Sequence, residues 1–264
     1  MEQKTTSRDG TSLAYQVTGQ GPAVVLVSGA LSTGGTLAPL AELLADTCTV
    51  VVYDRRGRGA SGDTAPYAVE REIEDLSALI GAVGGDAALF GMSSGGALVL
   101  RAAADGLPVR QAAVYEVPFM DFVTGGAAQW AAYRKDLDRA LADGRRGDAV
   151  ALFLRLTALA EQMIERARHS PLWAGLEVVA PSLGHDAAVM DDGRMPLDLL
   201  ASVGVPVLSV AGGASPEWIR EAARAVAATA PDGMYAELDK QTHAVEPPAL
   251  APLLAEFFTG SPTG

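Results

Sequence analysis

The chain is expected to fold as a doubly wound, mostly parallel α/β sheet interrupted by an inserted helical cap. Three observations carry that expectation. Short apolar runs alternate with amphipathic stretches as far as Pro118, and again from about residue 201. Between 119 and 200 the strand-like runs disappear and apolar residues recur at helical spacing. At Gly91-Met92-Ser93-Ser94-Gly95 an apolar run passes directly into a helix-like segment. Strand–helix alternation of this kind produces parallel sheets with helices on both faces.

The elements follow in order. Residues 3 to 17 read as a hairpin, with Asp9-Gly10 as its turn and Leu13, Tyr15 and Val17 alternating with smaller or polar residues. Ala23–Val27 and Thr49–Tyr53 are continuous apolar runs, as buried parallel strands require. A helix at 38–45 lies between them, and a second at 69–83 places Ile73, Leu76, Leu79 and Ile80 on one face. Strands at 86–90 and 109–115 flank the helix that follows Ser93. In the insertion, 130–143 is amphipathic and 148–168 reads as one helix, with Arg145-Arg146-Gly147 separating the two. The βα pattern resumes with a strand at 205–211, a helix at 216–229, a strand at 234–238 and a final helix at 248–258. Ser215-Pro216-Glu217 carries the signals of a helix start, with Ser215 as N-cap. The expected organisation is a core at 1–118 and 201–264 with a cap at 119–200.

Composition narrows the function classes. At 264 residues, 49% hydrophobic and 20% charged, the chain suits one globular α/β unit with a cap. A net charge of −12 disfavours nucleic acid and anionic membrane as partners. The single Cys48, beside a strand-like run, reads as a buried small hydrophobe. No apolar leader and no stretch of about 20 apolar residues occurs, so a cytoplasmic monomer or homodimer is expected. No cluster has metal-ligand spacing, and neither a metal nor a cofactor is expected.

The glycine-flanked serine points to chemistry. A sharp strand-to-helix turn crowds the backbone, so Gly91 and Gly95 suit the positions around Ser93. Such a turn holds the Ser93 hydroxyl above the sheet and leaves the Ser94 amide at a helix N-terminus, where an oxyanion can be stabilised. A serine hydroxyl needs a base. Of the three histidines, His243 follows the last expected strand and returns to the carboxyl edge of the sheet. His169 suits a helix end, and His185, in the insertion, suits a pocket wall.

With these residues in place, the chain resembles the α/β-hydrolase superfamily over nearly its whole length. The resemblance rests on Gly91-x-Ser93-x-Gly95, on Tyr53-Asp54-Arg55-Arg56-Gly57-Arg58-Gly59-Ala60-Ser61-Gly62, on the late His243 and on the inserted helices. The arginine-rich segment is expected to be structural, with Asp54 and the arginines pairing locally. The resemblance implies a second oxyanion amide at Ala30, although Ser28-Gly29 replaces the family's usual His-Gly. It also implies a triad acid after the strand ending near Ala211, where this chain reads Gly212-Gly213-Ala214 with no carboxylate. Glu116 is the favoured acid. It closes an apolar strand directly before Val117-Pro118, and some superfamily members, including certain haloalkane dehalogenases, are similar in placing their acid there. Adjacent strand ends lie only about 5 Å apart, so a carboxylate delivered by this strand can still reach the histidine. Glu217, Asp239, Glu246 and a Ser–His dyad without an acid remain open alternatives.

The expected function is a serine hydrolase acting on a small, largely apolar acyl substrate, an ester, lactone or thioester. Ser28, Tyr115, Phe119, Met120, Phe122, Trp130 and His185 are the candidate pocket residues, with Phe153, Leu156 and Met163 as further apolar cap residues. The alternatives are a small-molecule binding protein or receptor on the same scaffold, and a triad-bearing lyase or cyclase.

Overall fold

A computed structural model describes residues 2–260. The hairpin forms from β1 (Gln3–Thr6) and β2 (Ser12–Thr18), with Gly10 at φ 88° supplying its turn. It continues into β3 (Ala23–Val27), α1 (Ala38–Leu44), β4 (Thr49–Tyr53), α2 (Val69–Ala82), β5 (Ala87–Met92), α3 (Ser94–Ala104) and β6 (Val109–Tyr115). After the insertion come β7 (Val207–Gly212), α10 (Glu217–Thr229), β8 (Gly233–Leu238) and α11 (Pro247–Thr259). The eight strands lie in the order β1-β2-β4-β3-β5-β6-β7-β8. Only the pairings of β2, with β1 and β4, are antiparallel.

Continuous apolar strands are explained by cores on both faces of the sheet. Side chains alternate along a strand. Val25, Val27, Val51, Leu89, Ala112 and Val114 therefore join a core with α2 and α3, whereas Val24, Leu26, Val50, Ala88, Phe90 and Val210 join another with α1 and α11. Cys48 lies in the second core with no exposed surface. Among the described residues no helix is long and apolar enough to cross a membrane.

The insertion between β6 and β7 contains α4 (Gly126–Ala142), α5 (Arg146–Leu156), α6 (Glu161–Arg168), α7 (Trp173–Val179), α8 (Leu183–Met190) and α9 (Leu197–Ala201). Three helix boundaries differ from the sequence reading. The helix expected over 148–168 breaks at 157–160, where Ala158 adopts φ 61°. There Thr157 Oγ1 bonds the Leu154 carbonyl at 2.8 Å, and Arg155 pairs with Glu161 across the gap. The hydroxyl competes for the helix's own acceptors, which apolar periodicity does not register. Arg146 and Gly147 lie inside α5, and the separating turn is at Gly144, φ 69°. Likewise Pro216, not Ser215, caps α10: its carbonyl accepts from Ile219 and Arg220, while Ser215 Oγ is buried without a partner among the described residues. His169 ends α6 as expected.

Candidate active site

The sheet register brings the expected machinery to one edge. Met92 pairs with Tyr115, and Tyr115 with Val210, so Ser93 and Glu116 each follow directly at the carboxyl end of neighbouring strands. Ligand chemistry collects at this edge of open α/β sheets. Of the six non-glycine residues with positive φ among those described, Leu31, Ser93, Glu116 and Lys240 lie in the loops here. Strained backbone of this kind costs of order 1–3 kcal/mol per residue and concentrates at functional sites.

Ser93 sits at φ 56°, ψ −125°, immediately before α3. The crowding inferred from the glycines is present. A Cβ at Gly91 would lie 2.4 Å from the Gly95 carbonyl oxygen, and one at Gly95 would lie 2.4 Å from that of Val27. Gly29 approaches so closely that a Cβ there would lie 3.1 Å from Ser93 Cβ. The neighbouring Ala30 amide and the Ser94 amide donate to no protein group among the described residues. Two uncommitted N–H groups beside a serine meet the need of a developing oxyanion.

Glu116 is fully buried, and His243 Nδ1 lies 2.8 Å from its Oε2. Its other oxygen, Oε1, accepts the Gly212 amide at 2.8 Å. Gly212, which ends β7 near where the family pattern expects an acid, is thus a backbone donor to the carboxylate that directly follows β6. A Cβ at Gly212 would lie 2.3 Å from the Gln241 carbonyl oxygen, so the loop that carries His243 rests directly on this glycine. That loop is tied further by the Ala214 amide to Gln241 O, and by the Tyr115 hydroxyl to Thr242 O at 2.7 Å. The other candidate acids stand elsewhere. Glu217 pairs with Arg220 and Arg224 at the surface, Asp239 lies against Lys240, and Glu246 contributes its amide to Gln241 Oε1.

A family model for alpha/beta hydrolases matches residues 24–254. The chain belongs to the alpha/beta hydrolase family. An alpha/beta hydrolase from Sphaerobacter thermophilus is 50% identical, superposes with a TM-score of 0.88, and is matched over 97% of this chain and 100% of that one. An esterase from Thermogutta terrifontis shares the fold at 24% identity, with a TM-score of 0.73 over 97% of each chain. Curated relatives match over shorter stretches. A pimeloyl-[acyl-carrier protein] methyl ester esterase of Stenotrophomonas maltophilia is 38% identical over 90 residues, 34% of this chain and 33% of the relative. An uncharacterized hydrolase of Bacillus subtilis is 36% identical over 95 residues, 34% of this chain and 35% of the relative. The chain spans about a third of the length of these curated relatives.

In this alpha/beta hydrolase several expected pocket residues are buried. Tyr115, Ser28 and Phe119 are at most 2% exposed. The Tyr115 hydroxyl is committed to Thr242, and Phe119 and Met120 pack in the main core with Phe122 partly buried against it. Trp130 donates to the Asp191 carbonyl and lies across Gly193 within the insertion. Met163 is exposed on α6. His185 stacks on Tyr67 at 3.9 Å, with Nε2 3.6 Å from Asp63, and burial holds its imidazole below the usual histidine range.

The arginine-rich segment departs most from expectation. Among the described residues Asp54 pairs with no arginine; it accepts the amides of Gly34 and Ala60. Arg55, Arg56 and Arg58 are buried and reach distant acids. Arg55 grips Glu72 through two bonds of 2.7 Å, and Arg56 grips Asp75 and Asp9. Burial raises the Glu72 carboxyl, but Arg55 outweighs it and leaves the group lowered to about 2. Asp186, on α8, accepts from Arg55, Arg58 and Ser94 Oγ. Sequence reading passed over Asp186 in favour of its neighbour His185. The available signal was electrostatic: three arginines directly after a buried strand require anions from elsewhere in the chain.

Proposed function

We propose that the chain is a serine hydrolase that cleaves an ester, lactone or thioester of a small, largely apolar substrate through an acyl-enzyme. Ser93 is the nucleophile, His243 the general base, Glu116 the orienting acid, and the Ala30 and Ser94 amides the oxyanion hole. The observation that carries this reading is the 2.8 Å contact between His243 Nδ1 and Glu116 Oε2, at the sheet edge from which Ser93 projects. An ionised carboxylate only accepts hydrogen bonds, so Nδ1 carries the proton and Nε2 is left as the base. Glu116 then stabilises the imidazolium without itself taking a proton.

As Ser93 Oγ attacks the acyl carbon, its proton passes to Nε2 and the carbonyl oxygen becomes an oxyanion facing the two amides. Collapse of the tetrahedral intermediate expels the alcohol or thiol, protonated from Nε2, and leaves the acyl group on Oγ. Water, deprotonated by the same nitrogen, attacks the acyl carbon; the acyl–Oγ bond then breaks, Nε2 returns that proton to Ser93 Oγ, and the acid is released. Relatives whose names include esterase support the substrate class. Residues 119–200 serve in this reading as the cap that shapes the acyl pocket.

The test is fluorophosphonate labelling together with p-nitrophenyl esters of graded chain length, and lactones and thioesters alongside. Labelling should fall on Ser93, and Ser93→Ala or His243→Ala should each reduce ester turnover about 10⁴-fold or more. Folded protein that resists the probe and turns over none of the esters would sink the hydrolase reading in favour of a binding role.

A further inference from the structure

We propose that Asp186 is a positioning residue for the oxyanion hole: one carboxylate from the insertion holds both the Ser94 side and the Ala30 side of the anion site. The inference rests on the serine-hydrolase reading and deepens it. Asp186 is 4% exposed and lies on α8, far in sequence from every partner it meets. Its Oδ1 accepts from Ser94 Oγ, Arg55 and Arg58, each at 2.8 Å, and its Oδ2 accepts from Arg58 at 2.7 Å.

Two of these contacts lead to an oxyanion donor. Ser94 Oγ shares a Cα with the Ser94 amide, so fixing the side chain fixes the first residue of α3. Arg58 carries the second connection. While one of its nitrogens holds Asp186, another donates to the carbonyl oxygens of Gly29 at 2.5 Å and Ser32 at 3.1 Å. The Gly29 carbonyl and the Ala30 N–H belong to a single planar trans peptide and point in opposite directions. Holding the oxygen against Arg58 therefore turns the N–H away from it. Arg55 adds a bond of 3.2 Å to the Ser28 carbonyl just upstream.

The charges suit this task. Arg55 and Arg58 stand against Glu72 and Asp186, two positive groups against two negative, so the cluster aims the amides without placing net negative charge behind a developing oxyanion. A buried ion pair is a poor source of stability compared with apolar packing. Fixed donor geometry is what such a cluster supplies and apolar packing does not.

The experiment compares wild type, Ser94→Ala and Arg58→Lys, with Asp186→Asn as a third variant. Ser94→Ala removes one hydroxyl and no charge, so it keeps the test open if Asp186→Asn does not fold. Five quantities are read: kcat, KM and the pH midpoint of kcat for p-nitrophenyl acetate, the inhibition constant of an alkylboronic acid whose tetrahedral adduct occupies the anion site, and Tm. Removing an oxyanion donor outright costs about 10²- to 10³-fold in kcat, and loosening one should cost about tenfold. Ser94→Ala and Arg58→Lys should therefore lower kcat about tenfold at unchanged KM and weaken boronate binding by the same factor. The pH midpoint of kcat should not move. Folded variants with wild-type kcat and boronate affinity overturn the inference and leave the hydrolase reading intact, as does a loss of activity that follows Tm alone. Wild-type protein inert to both p-nitrophenyl acetate and fluorophosphonate removes the hydrolase reading, and the inference with it.

Discussion

Two buried carboxylates at the carboxyl edge of the sheet receive opposite surroundings. Glu116 faces a histidine whose side chain is 47% exposed and a backbone amide, whereas Asp186 faces two buried guanidiniums and a serine hydroxyl. Imidazole gives up its proton near neutral pH and guanidinium does not. The first carboxylate is therefore coupled to a group that can shuttle protons, and the second only to groups that stay charged. The partner's willingness to part with a proton, not burial, separates a relay from an anchor.

The largest expected effect tests the relay. Glu116→Gln should lower kcat by about 10²- to 10⁴-fold, because orientation and tautomer control of His243 are lost. The amide oxygen can still accept from Gly212, so a thermal melt should change little. Full activity in this variant would move the acid assignment elsewhere and erase the contrast. On the anchor side, Asp186→Ala leaves two buried guanidiniums short of an anion and should cost about 3–5 kcal/mol of folding stability, read by urea titration.

Acid titration sharpens the same distinction. The folded Glu72 carboxyl is lowered to about 2 from its ordinary value of 4.5, so its contribution to stability is complete above about 4.5 and lost as pH falls toward 2. Melting temperature should drop across that window, and Glu72→Gln should flatten the slope. Gly212→Ala tests how the relay's loop is seated. Its methyl group would meet the Gln241 carbonyl, and the overpacking should cost about 1–3 kcal/mol together with part of the turnover. Least of all should come from Glu217→Gln, where an exposed pair with Arg224 is lost; the melting temperature and kcat should both stay at their wild-type values.

Legibility in the sequence followed the range of the interaction. The strands were readable because burial on both faces leaves an uninterrupted apolar run, and Ser93 because its turn admits only glycine at Gly91 and Gly95. Glu116 was readable because a charged residue closing such a run requires a partner. Asp186 was not, since the residues it serves lie as much as 131 positions away and no local pattern connects them. The gap between α5 and α6 escaped for a different reason: the apolar spacing continues through it while Ala158 leaves the helical region. For the pocket residues, apolar type and proximity do not tell an accessible side chain from a buried one, and Phe119 and Tyr115 are buried.

Cys48 gives the molecule a gauge of its own integrity. The chain's only sulfhydryl is sealed between the sheet and the helices α1 and α11, so a thiol reagent meets it only when that layer parts. The rate at which the sulfur is alkylated then counts the openings of this half of the protein. Loosening confined to the opposite core, between the sheet and helices α2 and α3, would leave the count unchanged.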